Sequence, residues 1–144
     1  MLNCNFINKK VFDIGCGTGI LSILASLLGA YSVLSVDIDE WSVINIKENI
    51  ELNELNNIKF LQATVNDIND KNADILLANI NRNVLIEEIP VYAKKLNNNG
   101  ILILSGFYIE DFKLINKTAT ENNLIQEKKY EKNNWLALTF KKTV

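Results

Sequence analysis

Val11-Phe12-Asp13-Ile14-Gly15-Cys16-Gly17-Thr18-Gly19-Ile20 is the stretch on which the reading of this chain turns. A short apolar run is halted by closely spaced glycines, and Ile20, Ile23, Leu24, Leu27 and Leu28 follow at helical spacing before Gly29 stops them. That is a strand, a tight turn and a helix. The rhythm then repeats. Tyr31 to Val36 reads as a buried strand, and Asp39 can cap a helix whose Val43, Ile46 and Ile50 share a face. Ile58 to Thr64 reads as strand three and Ala73 to Ala78 as strand four. Leu85, Ile89, Tyr92 and Leu96 make a helical stripe, with Pro90 placed at the first turn of a second helical piece. Gly100 introduces Ile101 to Leu104 as strand five, and Tyr108, Phe112, Ile115 and Ala119 mark a helix. Leu124 to Tyr130 and Trp135 to Phe140 then flank a hairpin turn at Lys132-Asn133-Asn134. Continuous apolar strands separated by amphipathic helices require a parallel sheet covered on both faces, so the expected class is doubly wound, Rossmann-like α/β with an antiparallel C-terminal pair.

Composition narrows the function classes. The 144 residues are 48% hydrophobic and 22% charged with a formal net charge of -2, which fits one domain over residues 1–144. There is no histidine, which excludes Ser-His-Asp and Cys-His nucleophiles, HExxH zinc sites and any imidazole base. The charge balance argues against a direct nucleic-acid partner. No apolar run reaches the roughly 18 residues of a membrane span, and MLNCNFINKK lacks the order of a signal peptide. Cys4 and Cys16 cannot complete a metal site. The expectation is a cytoplasmic protein with reduced thiols, no membrane partner and no metal.

The loop Gly15-Cys16-Gly17-Thr18-Gly19 suits a nucleotide-like ligand, because Gly15 and Gly17 let a ligand approach backbone without meeting a Cβ. Asp37, about 20 residues on at the end of strand two, can accept from both ribose hydroxyls of an adenosine. Dinucleotide loops read G-x-G-x-x-G, whereas this one reads G-x-G-x-G with Asp13 two residues ahead. A pyrophosphate would be repelled by Asp13; the ammonium group of a sulfonium amino acid would be held by it, directly or through water. That spacing favours S-adenosylmethionine.

VFDIGCGTGILSILASLLGA, VDIDEWSVINIKENIELN, ADILLANINRNVLIEEI, NNNGILILSGFYIEDF and NNWLALTF, in that order, resemble the catalytic domain of the bacterial ribosomal protein L11 methyltransferases. The resemblance covers nearly the whole chain, and ANIN and LSGF are more specific than the glycine loop. It implies a class I methyltransferase fold with strand order 3-2-1-4-5-7-6 and an antiparallel strand seven. It also implies S-adenosylmethionine as cofactor and methylation of lysine side chains and the N-terminal amine of a large-subunit ribosomal protein. Carried over by position, Gly15, Asp37 and Asn79 would contact the cofactor, and Asp13 and Gly17 belong to the same loop in the wider class. Asn79 is also the expected catalytic residue: its amide oxygen would hold a neutral amine with the lone pair aimed at the methyl carbon. No general base is assigned, and alignment alone can supply several kcal/mol of barrier reduction.

Against the family pattern, the substrate-recognition domain and the Gly-Thr-Gly-x-His-type segment expected before strand one do not precede Val11. The alternative reading is therefore a truncated or non-catalytic cofactor-binding remnant. A nicotinamide-dependent oxidoreductase is disfavoured by the loop spacing. Trp41 is open between covering an adenine edge and packing on its helix. Asn81-Arg82-Asn83 is read as a helix start, Trp135 as packing on a strand edge, the lysines at 128, 129, 132, 141 and 142 as a solvated edge, and Cys16 as a small filler.

Overall fold

The computed structural model describes Met1 and residues 3–144, which fall into two compact units, Met1–Asn69 and Asp70–Val144. The first unit contains β1 (Lys10–Ile14), α1 (Ile20–Leu27), β2 (Ser32–Asp37), α2 (Glu40–Leu52) and β3 (Ile58–Gln62). Its strands run in the order β3-β2-β1 and all pair in parallel, with Val11 beside Val33 and Val33 beside Ile58. Val11, Phe12, Ile14, Val33 and Val36 are buried, as the apolar runs require. Asp39 caps α2 as expected, its carboxylate accepting from the Trp41 N–H at 3.0 Å, and Ile46 and Ile50 turn inward.

Three expectations fail in this unit. Strand two begins at Ser32, leaving Tyr31 exposed, and strand three ends at Gln62, because Thr64 and Asp67 close a short 3-10 turn over Val65–Asp67. More informative is α1, whose apolar stripe is only partly buried. Ile20 and Leu27 are 70% and 63% exposed, and the fully buried residues are Ser22 and Ala25. Ser22 faces inward onto two buried polar partners, Asp13 and Ser35, whose hydrogen-bonding demand it meets.

The second unit contains β4 (Ala73–Asn79), α3 (Arg82–Lys95), β5 (Leu96–Tyr108), α4 (Phe112–Glu121), β6 (Leu124–Lys132) and β7 (Trp135–Lys142). Its order is β4-β5-β7-β6, with β4 and β5 parallel and the pairs β5/β7 and β7/β6 antiparallel. The two units thus carry the two halves of the expected strand order. The hairpin turn is Asn133-Asn134, with φ of 50° and 68° and Lys132 paired to Trp135. Two successive left-handed residues are what a two-residue hairpin with native twist needs, and asparagine accepts that region better than most. β6 is the exposed edge and carries Lys128, Lys129 and Lys132 as expected of a solvated edge. Lys141 and Lys142 instead lie half-buried on the inner strand β7, where Lys142 Nζ donates to the Leu96 carbonyl at 2.8 Å.

Pro90 does not open a second helical piece. It sits inside the single helix α3, where its ring removes one backbone hydrogen bond. Leu85 and Ile89 before it and Tyr92 and Ala93 after it are all buried, so packing on both sides holds the helix together across the gap. Leu96, expected on that helix, is already extended and pairs with Ala73. Tyr108 closes β5 rather than starting α4, and its ring packs on Trp135 with centroids 4.3 Å apart.

Gly19 precedes α1 with φ of 80°, and a Cβ there would lie 2.4 Å from Cγ1 of the buried Ile46. Gly19→Ala is expected to destabilise the protein by about 1–3 kcal/mol through overpacking. Urea unfolding of both forms measures it, and equal midpoints would show that the loop relaxes freely.

Candidate functional site

In the first unit the glycine loop is fastened to the end of β2 by backbone and side chain together. The N–H groups of Gly15 and Cys16 donate to the Val36 carbonyl at 2.8 and 3.0 Å, and the Gly19 N–H closes a turn onto the Cys16 carbonyl at 2.8 Å. The Asp37 carboxylate receives the Gly17 N–H on one oxygen at 2.8 Å and the Asp39 N–H on the other at 3.0 Å. Each oxygen keeps a second lone pair, so the carboxylate is both anchored and able to accept from a diol. A Cβ on Gly17 would meet nothing within 4 Å, so the loop has open space beside it. These features fit an adenosine-bearing cofactor.

Gly15, Gly17 and Asp37 are therefore brought together, and Asp13 lies beneath them. Asp13 is only 1% exposed, which withdraws it from direct reach of a bulky ligand. Its carboxylate takes the Ser22 hydroxyl proton at 2.5 Å, and Ser22 Oγ lies 2.7 Å from Ser35 Oγ. Since Ser22 has one hydroxyl proton and gives it to Asp13, Ser35 is the donor to Ser22. Burial pushes the Asp13 carboxyl up to about 7, hydrogen bonds from the Ser22 hydroxyl and backbone pull the other way, and the Asp37 charge adds to the rise. The same burial, followed by the charges of Asp13 and Asp37, pushes the Cys16 thiol up to about 12, so it is an inert filler. Trp41 is 70% exposed at the start of α2. Ser22 and Ser35 were missed by sequence reasoning. The available signal was a lone hydroxyl inside each of two apolar runs, LSILA and VLSVD.

In the second unit Asn79 ends β4 with its side chain exposed, and its Oδ1 accepts from the Ser105 hydroxyl at 3.0 Å. Ser105 stands beside Asn79 in the β4/β5 register, and its carbonyl accepts from the Ile80 N–H at 3.2 Å. Asn79, Ile80, Ser105 and Gly106 line a cleft of about 580 Å³ with Tyr130, Trp135, Leu136 and other residues of the hairpin. Trp135 therefore lines this cleft from the inner strand β7, between Tyr108 and Lys132, and not at a strand edge. Asn81 caps α3, accepting from the N–H groups of Asn83 and Val84, which bears out the reading of that tripeptide as a helix start. Arg82 pairs with the largely buried Asp111 at 3.0 Å. Among the described residues no cluster of three or more His, Cys, Asp or Glu could hold a metal ion, and no helix is long and apolar enough to cross a membrane.

The chain is similar to known proteins of one family. A family model described as ribosomal protein L11 methyltransferase (PrmA) matches residues 3–143. The ribosomal protein L11 methyltransferase of Phocaeicola vulgatus is 41% identical over 141 residues, which cover 97% of this chain and 50% of that protein. That of Porphyromonas gingivalis is 40% identical over 141 residues, covering 97% and 49%. This chain spans about half the length of these relatives. Among solved structures, a ribosomal protein L11 methylase from Lactobacillus delbrueckii subsp. bulgaricus superposes with a TM-score of 0.90 at 32% identity, covering 94% of this chain and 71% of that one. The fold is the Rossmann-like methyltransferase fold that the sequence led us to expect.

The raised Asp13 carboxyl has a signed consequence. Its unfolded value is the ordinary 3.8 and its folded value about 7, so between those limits the folded protein holds a proton that the unfolded chain releases. The contribution to stability is whole below the lower limit, falls as pH rises toward the upper, and is flat above it. Asp13→Asn, which can still accept from Ser22, is expected to remove this part of the slope. Urea titrations of both proteins across that range test it, and parallel curves would refute it.

Proposed function

This chain belongs to the ribosomal protein L11 methyltransferase family, and from that membership we propose that residues 1–144 act as an S-adenosylmethionine-dependent N-methyltransferase domain. Its acceptors on this reading are lysine and N-terminal amines of a large-subunit ribosomal protein. The observation that carries the proposal is the Asp37 carboxylate, held against the glycine loop by the Gly17 N–H with open space at that glycine. Asp37 receives the ribose hydroxyls, and Gly15 and Gly17 keep the loop free of side chains where the cofactor passes. Asp13 acts from below by holding Ser22 and, through it, the start of α1. When bound, S-adenosylmethionine supplies a methyl group already activated on a sulfonium sulfur.

What remains for the protein is to present a neutral amine in line. A lysine ammonium has an ordinary pKa of about 10.4, and transfer into a weakly solvated cleft lowers it. Trp135, Leu136 and Ala137 give the cleft beside Asn79 such a wall. Asn79 then accepts an amine N–H on its amide oxygen and also contributes to the cofactor contact, leaving the nitrogen lone pair free for attack. The alternative, a remnant that binds cofactor without transferring methyl groups, differs only in turnover.

Isothermal titration with S-adenosylhomocysteine is expected to show a dissociation constant on the order of micromolar. Asp37→Ala should weaken binding by about 1–3 kcal/mol, the cost of losing hydrogen bonds to a charged acceptor. Absence of binding by folded protein up to the order of millimolar ligand would defeat the reading. Asn79→Ala should lower kcat for methylation of a bacterial L11 protein far more than it weakens S-adenosylhomocysteine. A rate equal to the parent's would remove Asn79 from the reaction.

A further inference from the structure

β5 is not regular where it passes Asn79. It pairs with β7 at Leu104–Leu138 and again at Phe107–Leu136, so Ser105 and Gly106 together stand opposite the single residue Ala137. That is a β-bulge, an irregularity found preferentially beside active sites because it re-aims a side chain. On the other side of β5 the parallel register with β4 is kept through Ala78–Leu104 and Asn79–Ser105. The bulge is therefore absorbed toward β7 while Ser105 stays fixed against β4. Gly106 has φ of 91°, and a Cβ on it would stand 2.8 Å from the Ile80 carbonyl oxygen, 2.9 Å from the Ile80 nitrogen and 3.0 Å from Asn79 Oδ1. Backbone atoms cannot step aside as a flexible side chain does, so only glycine permits this approach.

We infer that the bulge at Ser105–Gly106 exists to hold the Asn79 amide, and that Ser105 is a positioning residue for methyl transfer. The inference rests on the proposed role of Asn79. An exposed asparagine at a strand end rotates freely about its last torsion, which is broad and roughly two-fold. Half a turn would replace the amide oxygen by an NH₂ group, and a donor there cannot accept an amine N–H. The Ser105 hydroxyl donates to one lone pair of Oδ1 and tethers the amide, so it no longer turns freely about that torsion. The second lone pair remains for the acceptor amine. Ser105 itself needs no contact with either substrate.

Three variants test this together: Ser105→Ala, Ser105→Thr, which keeps the hydroxyl, and Asn79→Ala. With S-adenosylmethionine and a bacterial L11 protein as substrates, Ser105→Ala is expected to lower kcat about tenfold while leaving KM within about twofold, the effect of misalignment rather than lost binding. Ser105→Thr should recover most of the rate, which a purely structural role would not predict. The second readout does not need turnover. In ¹⁵N relaxation, the side-chain amide of Asn79, identified by its loss in Asn79→Ala, should be ordered in the parent and mobile in Ser105→Ala. An Asn79 amide as ordered in Ser105→Ala as in the parent would overturn the inference, whatever the rates. If Asn79→Ala is slow and Ser105→Ala is not, Ser105 fails and the reading of Asn79 stands. If Asn79→Ala turns over like the parent, the reading of Asn79 fails, and the inferred role of Ser105 in transfer falls with it.

Discussion

A carboxyl group removed from water has to find its hydrogen bonds inside the protein, and in the first unit that requirement organises everything around the loop. Asp13 sits in a strand beside the apolar Val11, Phe12 and Ile14, and it is buried with them. Its donor is Ser22 on α1, and the donor to Ser22 is Ser35 on β2. One chain of hydrogen bonds therefore joins β1, the helix that follows the glycine loop and the strand that carries Asp37. An unpaired buried carboxylate would cost several kcal/mol, and the Ser22 hydroxyl offsets that cost. That chain of hydrogen bonds explains why Ser22, rather than Ile20 or Leu27, faces the core. It also explains how a loop with several left-handed glycines stays in one shape, since both of its ends are tied to the same polar core.

The second unit solves a related problem with backbone. Asn79 lies at the end of a strand, where nothing in the strand itself restrains an exposed amide. The restraint comes from the neighbouring strand through a hydroxyl, a carbonyl and a glycine that lets the two chains close to contact distance. The long return hairpin places Tyr130 and Trp135 along the same cleft, so the antiparallel pair lines that cleft as well as extending the sheet. In both units a serine that sequence patterning treats as neutral stands between a candidate site residue and the scaffold.

Much of this was legible in the chain, and the limits of legibility are physical. Hydrophobic periodicity, glycine stops and caps act over a few residues, so Asp39 as a cap, Asn133-Asn134 as a turn and the alternation of strands and helices could be read directly. Pro90 and Leu96 were misread because local propensity was set against packing on the far side of the helix and against strand pairing, neither of which is local. Asp13 was expected to hold a ligand's ammonium directly or through water, and its burial depends on what the helix and the next strand bring to it.

The sequence by itself determined the class of fold, the glycine loop with Asp37 about 20 residues after it, and the family, because these are carried by residue types at fixed spacings. Tertiary structure alone decided which face of α1 is buried, that Asp13 is enclosed with Ser22 and Ser35, and that Ser105 and Gly106 close on Asn79. Each of these joins residues from different elements. The interactions concerned fade within a few ångströms, so only the folded chain, which sets those distances, could choose among the partners that the sequence made available.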